Sequence, residues 1–178
     1  TNTNTNTGGV KNPRLSSSIN LKSDRLLAAT VDHCLFQESL MSQLKVFADQ
    51  NPNDALLDTT DGEQIAAELN RVGVLFERWA APGEIADDAT QEEILALYQE
   101  DIDRVKAKGG YQTVDVLHMV PTHPDKEAMR QKFLNEHRHH EDEVRFFVKG
   151  QGLFCLHIDD KVYQVLCTRN DLISVPAN

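Results

Sequence analysis

Two histidines and an acid stand out in the run His137-Arg138-His139-His140-Glu141-Asp142-Glu143. His137, His139 and Glu143 sit at offsets of two and six residues. In an extended chain, even offsets send side chains to one face of a sheet. On a helix, residues two apart are turned by roughly 200°, so His137 and His139 would not share an ion. Two imidazoles and one carboxylate on one strand face form a mixed nitrogen–oxygen donor set. Such a set suits Fe(II), Ni(II), Mn(II) or Zn(II) and leaves coordination positions open for substrate or oxygen. The spacing therefore reads as a catalytic metal centre. A run of charged side chains is also the usual signature of a solvated turn. Against that reading, the run passes directly into Val144-Arg145-Phe146-Phe147-Val148, which has the character of a buried strand. Arg145 and Phe147 continue the even register of the three ligands.

The surrounding elements must hold that strand. Leu44 to Phe47 reads as a short strand. Thr60-Asp61-Gly62-Glu63 has the form of a capping box, opening a helix with Ile65, Leu69 and Val72 on one side and Gly73 at its end. Val74 to Trp79 reads as a strand. Thr90-Gln91-Glu92-Glu93 is a second capping box, followed by Ile94, Tyr98, Ile102 and Val105 at helical spacing. Lys106, Lys108 and Gly109 supply a C-terminal charge and stop signal. Val114 to Val120 is expected to be a strand and Pro124 to Leu134 a third helix. A short helix is also expected around Leu26 to Leu40. After the metal motif the runs Phe146 to Lys149, Leu153 to Ile158, Lys161 to Leu166 and Leu172 to Val175 are short, apolar and separated by turn residues. Helices followed by short antiparallel strands predict an α+β, mainly β chain whose strands form a barrel or jelly roll.

Charge excludes some partners. The 178 residues carry a formal net charge of −10, which opposes binding to nucleic acid or an anionic membrane. No apolar run is long enough to span a bilayer. Cys34, Cys155 and Cys167 form no C-x-x-C pair, as expected of reduced thiols in a cytoplasmic protein. Cys155 and Cys167 lie in apolar strand patterns and are expected to pack in the core. Thr1 to Gly9 is of low complexity, and residues 10 to 30 are Ser-rich and acid-poor, as in a flexible tail or an organellar transit segment.

The stretch from Phe133 through His137, His139 and Glu143 to Val148 closely resembles the metal-binding segment of the acireductone dioxygenase family, within the cupin superfamily. The same family is matched by Gly150-x-Gly152-Leu153-Phe154, by Lys161 to Cys167 and by Asp171-Leu172-Ile173-Ser174-Val175-Pro176-Ala177. Upstream, Gly73-Val74-x-Phe76-Glu77-Arg78-Trp79 and Gly110-Tyr111-Gln112 are similar to it as well. The resemblance runs from about residue 41 to 178, with residues 1–40 as an extension and Met41 reading as a native start. It implies a cupin jelly-roll barrel with accessory N-terminal helices. It also implies one Fe(II) or Ni(II) per chain, held by His137, His139 and Glu143.

What the resemblance implies for chemistry is specific. The substrate is the acireductone 1,2-dihydroxy-3-keto-5-methylthiopentene, which reacts with O2 in methionine salvage. The Fe(II) form gives formate and 4-methylthio-2-oxobutanoate; the Ni(II) form gives formate, carbon monoxide and 3-methylthiopropanoate. The family's fourth ligand is a histidine following the Ser-Val-Pro-Ala segment, expected a few residues beyond Asn178. The barrel is therefore expected to be incomplete in this chain, with open edges that favour association, and a complete chain is expected to be a monomer. Arg145 is expected to pair its planar fork with the enediolate oxygens as a catalytic group, the alternative being a structural ion pair to a carboxylate such as Glu141. His140 is expected on the surface, His33, His118, His123 and His157 in structural or solvent-facing positions, Met129 in the core, and Phe147 in the core or beside the substrate tail. Two other readings stay open: a non-catalytic cupin binding a metal or small ligand, and a different cupin enzyme such as a zinc-dependent sugar isomerase.

Overall fold

The computed structural model describes residues 16–22, 41–80, 83–86, 88–109, 111, 113–119, 124–125, 128 and 142–177. His137 and His139, most of the expected helix at Pro124 to Leu134, and the segment Leu26 to Leu40 lie outside the described residues. The described strands form two antiparallel sheets. Five strands make the first: β1 (Ser16–Lys22), β4 (Leu75–Arg78), β5 (Thr113–Met119), β6 (Glu143–Lys149) and β9 (Asp171–Val175), in the order β4-β9-β6-β1-β5. The second holds β2 (Gln43–Ala48), β3 (Asn51–Thr59), β7 (Gln151–Ile158) and β8 (Lys161–Thr168), in the order β3-β2-β8-β7. Three helices are described beside them: α1 (Gly62–Arg71), α2 (Gln91–Leu97) and α3 (Gln99–Gly109).

Strand alternation divides the apolar side chains into two cores. Leu44, Val46, Phe154, Tyr163, Val165 and Cys167 of the second sheet meet Phe76, Phe147 and Ile173 of the first, with Ile65 and Leu69 of α1 joining them. On the other side of the first sheet, Val144, Phe146, Val148 and Leu172 pack against Trp79 and the helical stripe Ile94, Tyr98 and Ile102. Trp79 stacks on Phe146 with ring centroids 4.6 Å apart, and Tyr98 meets the same ring edge-on at 5.0 Å. Strand β6 is thus covered on both faces, which is why its burial is continuous from Glu143 to Val148 rather than alternating.

Local signals behave as their chemistry requires, with some revisions. The second capping box forms as expected: Thr90 Oγ1 accepts from the Glu93 amide and Glu93 Oε2 accepts from the Thr90 amide. The first does not. Asp61, not Thr60, caps α1, its carboxylate accepting from the Gln64 amide at 2.9 Å, since an Asp placed one residue later is an equally strong cap. Past the end of α1, Gly73 takes φ +83°, a left-handed conformation that glycine adopts without strain. The single helix expected along Ile94 to Val105 is two helices broken at Tyr98, yet Ile94, Tyr98 and Ile102 remain buried on one side. Two strands have no counterpart among the expected elements. Strand β3 runs through the polar Asn51-Pro52-Asn53-Asp54 and is mostly exposed, an edge position where proline is tolerated. Strand β1 lies in the Ser-rich segment expected to be a tail. Cys155 is exposed rather than packed, because it alternates outward on β7, whereas Cys167 is buried in the core.

A buried polar knot ties the sheets together. Asp171 is fully buried and accepts from the Thr168 amide at 2.7 Å, from Arg78 Nε at 3.1 Å and from Ser42 Oγ. Arg78 Nη2 also donates to Ser42 Oγ at 2.8 Å. One carboxylate thus joins the ends of β4, β8 and β9 to the start of β2.

Candidate metal centre

Strand β6 sorts its residues by parity. Val144, Phe146 and Val148 face the helices, so Glu143, Arg145 and Phe147 face the interior between the sheets. Glu143 is 9% exposed and Arg145 2%. Arg145 Nη2 donates to Glu143 Oε1 at 3.1 Å. A carboxylate and a guanidinium this deeply buried would each be strongly disfavoured alone, so their pairing offsets the desolvation of both. Of the proposed site residues, the structure places Glu143 and Arg145 side by side, while His137 and His139 lie outside the described residues. Glu141, the carboxylate expected to compete for Arg145, also lies outside them; the partner observed is Glu143 itself.

The neighbours of this pair come from distant parts of the chain. Glu143 stands opposite Val175 and Arg145 opposite Ile173 on β9. The Ala177 amide donates to Asp142 at 2.9 Å, which holds the Ser174-Val175-Pro176-Ala177 segment against the start of β6. Phe147 packs edge-on to Phe154, centroids 6.1 Å apart, and sets the Cε1–Cζ edge of its ring against Gly152, where a Cβ would come within 2.6 Å of it. Burial pushes the Cys167 thiol well above its ordinary pKa, an effect the Asp171 carboxylate adds to and the Arg145 cation opposes. Asp171 stands where the chain turns from β8 into β9, and the one sign of its interior role in the sequence is that it is an acid directly before the apolar Leu172-Ile173. His157 is exposed and lies 3.5 Å from Asp49 on the surface of the second sheet, a solvent-facing place.

Among the described residues no three His, Cys, Asp or Glu side chains gather into a metal site, and Glu143 is the one expected ligand that the structure describes. Glu143 offers a carboxylate inside the protein, oriented by a guanidinium and pointing away from the helices, and an oxygen donor of this kind fits a hard or borderline cation.

Two antiparallel sheets enclosing an inward-facing acid, with α2 and α3 on one outer face, define a mainly β cupin fold. Residues 43–178 match the model of the ARD/ARD' family. The chain is 58% identical over 137 residues to the acireductone dioxygenase of Alcanivorax borkumensis, covering 77% of this chain and 76% of that protein. It is equally identical, over the same length, to that of Synechococcus elongatus, covering 69% of the latter. Among solved structures it is similar to the acireductone dioxygenase from Bacillus anthracis with a cadmium ion in its active centre, at TM-score 0.67 and 30% identity, over 79% of this chain and 83% of that one. The chain belongs to the ARD/ARD' family, and so to the metal-dependent dioxygenases.

Proposed function

We propose that this chain cleaves the acireductone 1,2-dihydroxy-3-keto-5-methylthiopentene with O2 in methionine salvage. Family membership names the reaction class, and the buried Glu143–Arg145 pair on the interior face of β6 is the observation that carries the site. His137, His139 and Glu143 would hold one Fe(II) or Ni(II); when bound, the ion supplies a Lewis acid and a template for two oxygens of the enediol. Glu143 brings negative charge to that position, and its bond from Arg145 fixes the carboxylate's orientation. Arg145 also holds a permanent positive charge in an interior from which water is excluded, where it stabilises the enediolate of the bound substrate. Phe147 and the apolar side chains around it keep the interior dry beyond the arginine.

In the Fe(II) form the products are formate and 4-methylthio-2-oxobutanoate, and in the Ni(II) form formate, carbon monoxide and 3-methylthiopropanoate. Both oxygen atoms of O2 end in the products in either case, so no outside reductant is consumed. The test is to load the purified chain anaerobically with Fe(II) or Ni(II), add the acireductone, admit O2 and follow substrate absorbance, oxygen uptake and products. Oxygen uptake equal to substrate loss, with formate in both cases, is expected. Tight metal binding with no turnover would instead make the chain a non-catalytic cupin.

A further inference from the structure

Strands β6 and β9 run antiparallel, with Val144 opposite Ser174 and Glu143 opposite Val175, where the register ends. One step further out the position opposite Asp142 is Pro176, which has no N–H to continue the ladder. A side chain takes over there: Asp142 Oδ1 accepts from the Ala177 amide at 2.9 Å. A second grip lies on the other side of Val175. The Tyr111 hydroxyl bonds to the Ser174 side chain and lies in the field of the Asp142 carboxylate. Ser174 is also held through its main chain, between Leu75 of β4 and Val144 of β6. Val175, the residue facing Glu143, is thus fixed from both directions along the chain.

Asp142 is exposed, whereas Glu143 beside it is buried. Adjacent residues of an extended chain point to opposite faces, so Asp142 acts on the main chain at the root of β6 rather than from the interior. Its bond needs only an acceptor oxygen, which an asparagine side chain also supplies. In an exposed setting the loss of one such bond costs little global stability. The effect therefore falls on the local alignment of Glu143, whose carboxylate already accepts from Arg145.

We propose that Asp142 is a positioning residue: its carboxylate clamps the exit of β9 across the root of β6 and so fixes the direction in which the Glu143 carboxylate faces an ion. That role presupposes Glu143 as a metal ligand, as in the proposed function. Ni(II) affinity of the purified full chain, measured anaerobically by competition with a chelating dye, tests it. Asp142→Ala is expected to weaken Ni(II) binding about 5–10-fold, and Asp142→Asn, which keeps an oxygen for the Ala177 amide, to stay within about twofold of the unaltered chain. The Ala177 amide is expected to exchange faster in Asp142→Ala alone, while the β7–β8 amides keep their protection in both variants, showing that they are folded. Unchanged affinity in Asp142→Ala, or an Asp142→Asn as weak as Asp142→Ala, would overturn the clamp. Glu143→Gln separates that failure from a failure of the site itself. If Glu143→Gln leaves Ni(II) affinity untouched, the ligand reading falls, and unchanged Ala177 exchange in Asp142→Ala then overturns the clamp by itself.

Discussion

Arg145 donates to Glu143 across 3.1 Å inside the protein, two residues apart on the same face of one strand. The pair divides two tasks that can be separated by mutation. Glu143→Gln keeps the shape and removes the charge, so metal affinity is expected to fall by about 100-fold, measured by metal analysis after dialysis. Arg145→Ala is expected to retain its metal and lose turnover by roughly 10²–10³-fold. Retention of both metal and turnover in Arg145→Ala would leave the arginine with a scaffolding role alone.

Asp171 is the buried anchor of Ser42, Thr168 and Arg78. Asp171→Ala leaves the Thr168 amide and the Ser42 hydroxyl without their acceptor, while Arg78, half-exposed, recovers hydration. A loss of about 2–4 kcal/mol is expected in urea unfolding, with little change in the slope against denaturant.

Gly152 leaves room for the Phe147 ring. A methyl group there would sit 2.6 Å from Cε1 of a ring that is itself 4% exposed, so the ring cannot swing out to solvent. Gly152→Ala is expected to destabilise the fold by about 1–3 kcal/mol, and Gly152→Ala with Phe147→Leu to recover part of it. Thermal unfolding of the two variants checks the coupling.

Burial, reinforced by Asp171, raises the Cys167 thiol well above its ordinary value near 9. The folded state then holds its proton at pH values where the unfolded chain has lost it. Stability from this source is present below the ordinary thiol pKa and is lost as pH rises above it. Tyr98 and Tyr111, also raised by burial, extend the decline above pH 10. Unfolding free energy is expected to fall from about pH 8 upward, and Cys167→Ala to reduce the earlier part of that fall, to which the Cys155 thiol, also raised by burial, contributes. An unchanged profile in Cys167→Ala would assign the whole decline to other groups.

Much of this protein was legible along the chain itself. The even spacing of Glu143, Arg145 and Phe147 placed them on one face, because strand alternation is a property of the backbone alone. The Thr90–Glu93 box, the stripe Ile94-Tyr98-Ile102 and the four-strand run from β6 to β9 were readable for the same reason: each depends on residues close in sequence. Only the tertiary structure decided what stands across from them. Which carboxylate meets Arg145, that Asp171 is an interior acid rather than a turn residue, that Cys155 and Cys167 face opposite ways, and that Ser16–Lys22 lies between β5 and β6 are all outcomes of pairing between distant segments. Alternation tells which residues share a face, but sheet order and burial are set by the free energy of the whole assembly, which no local pattern contains.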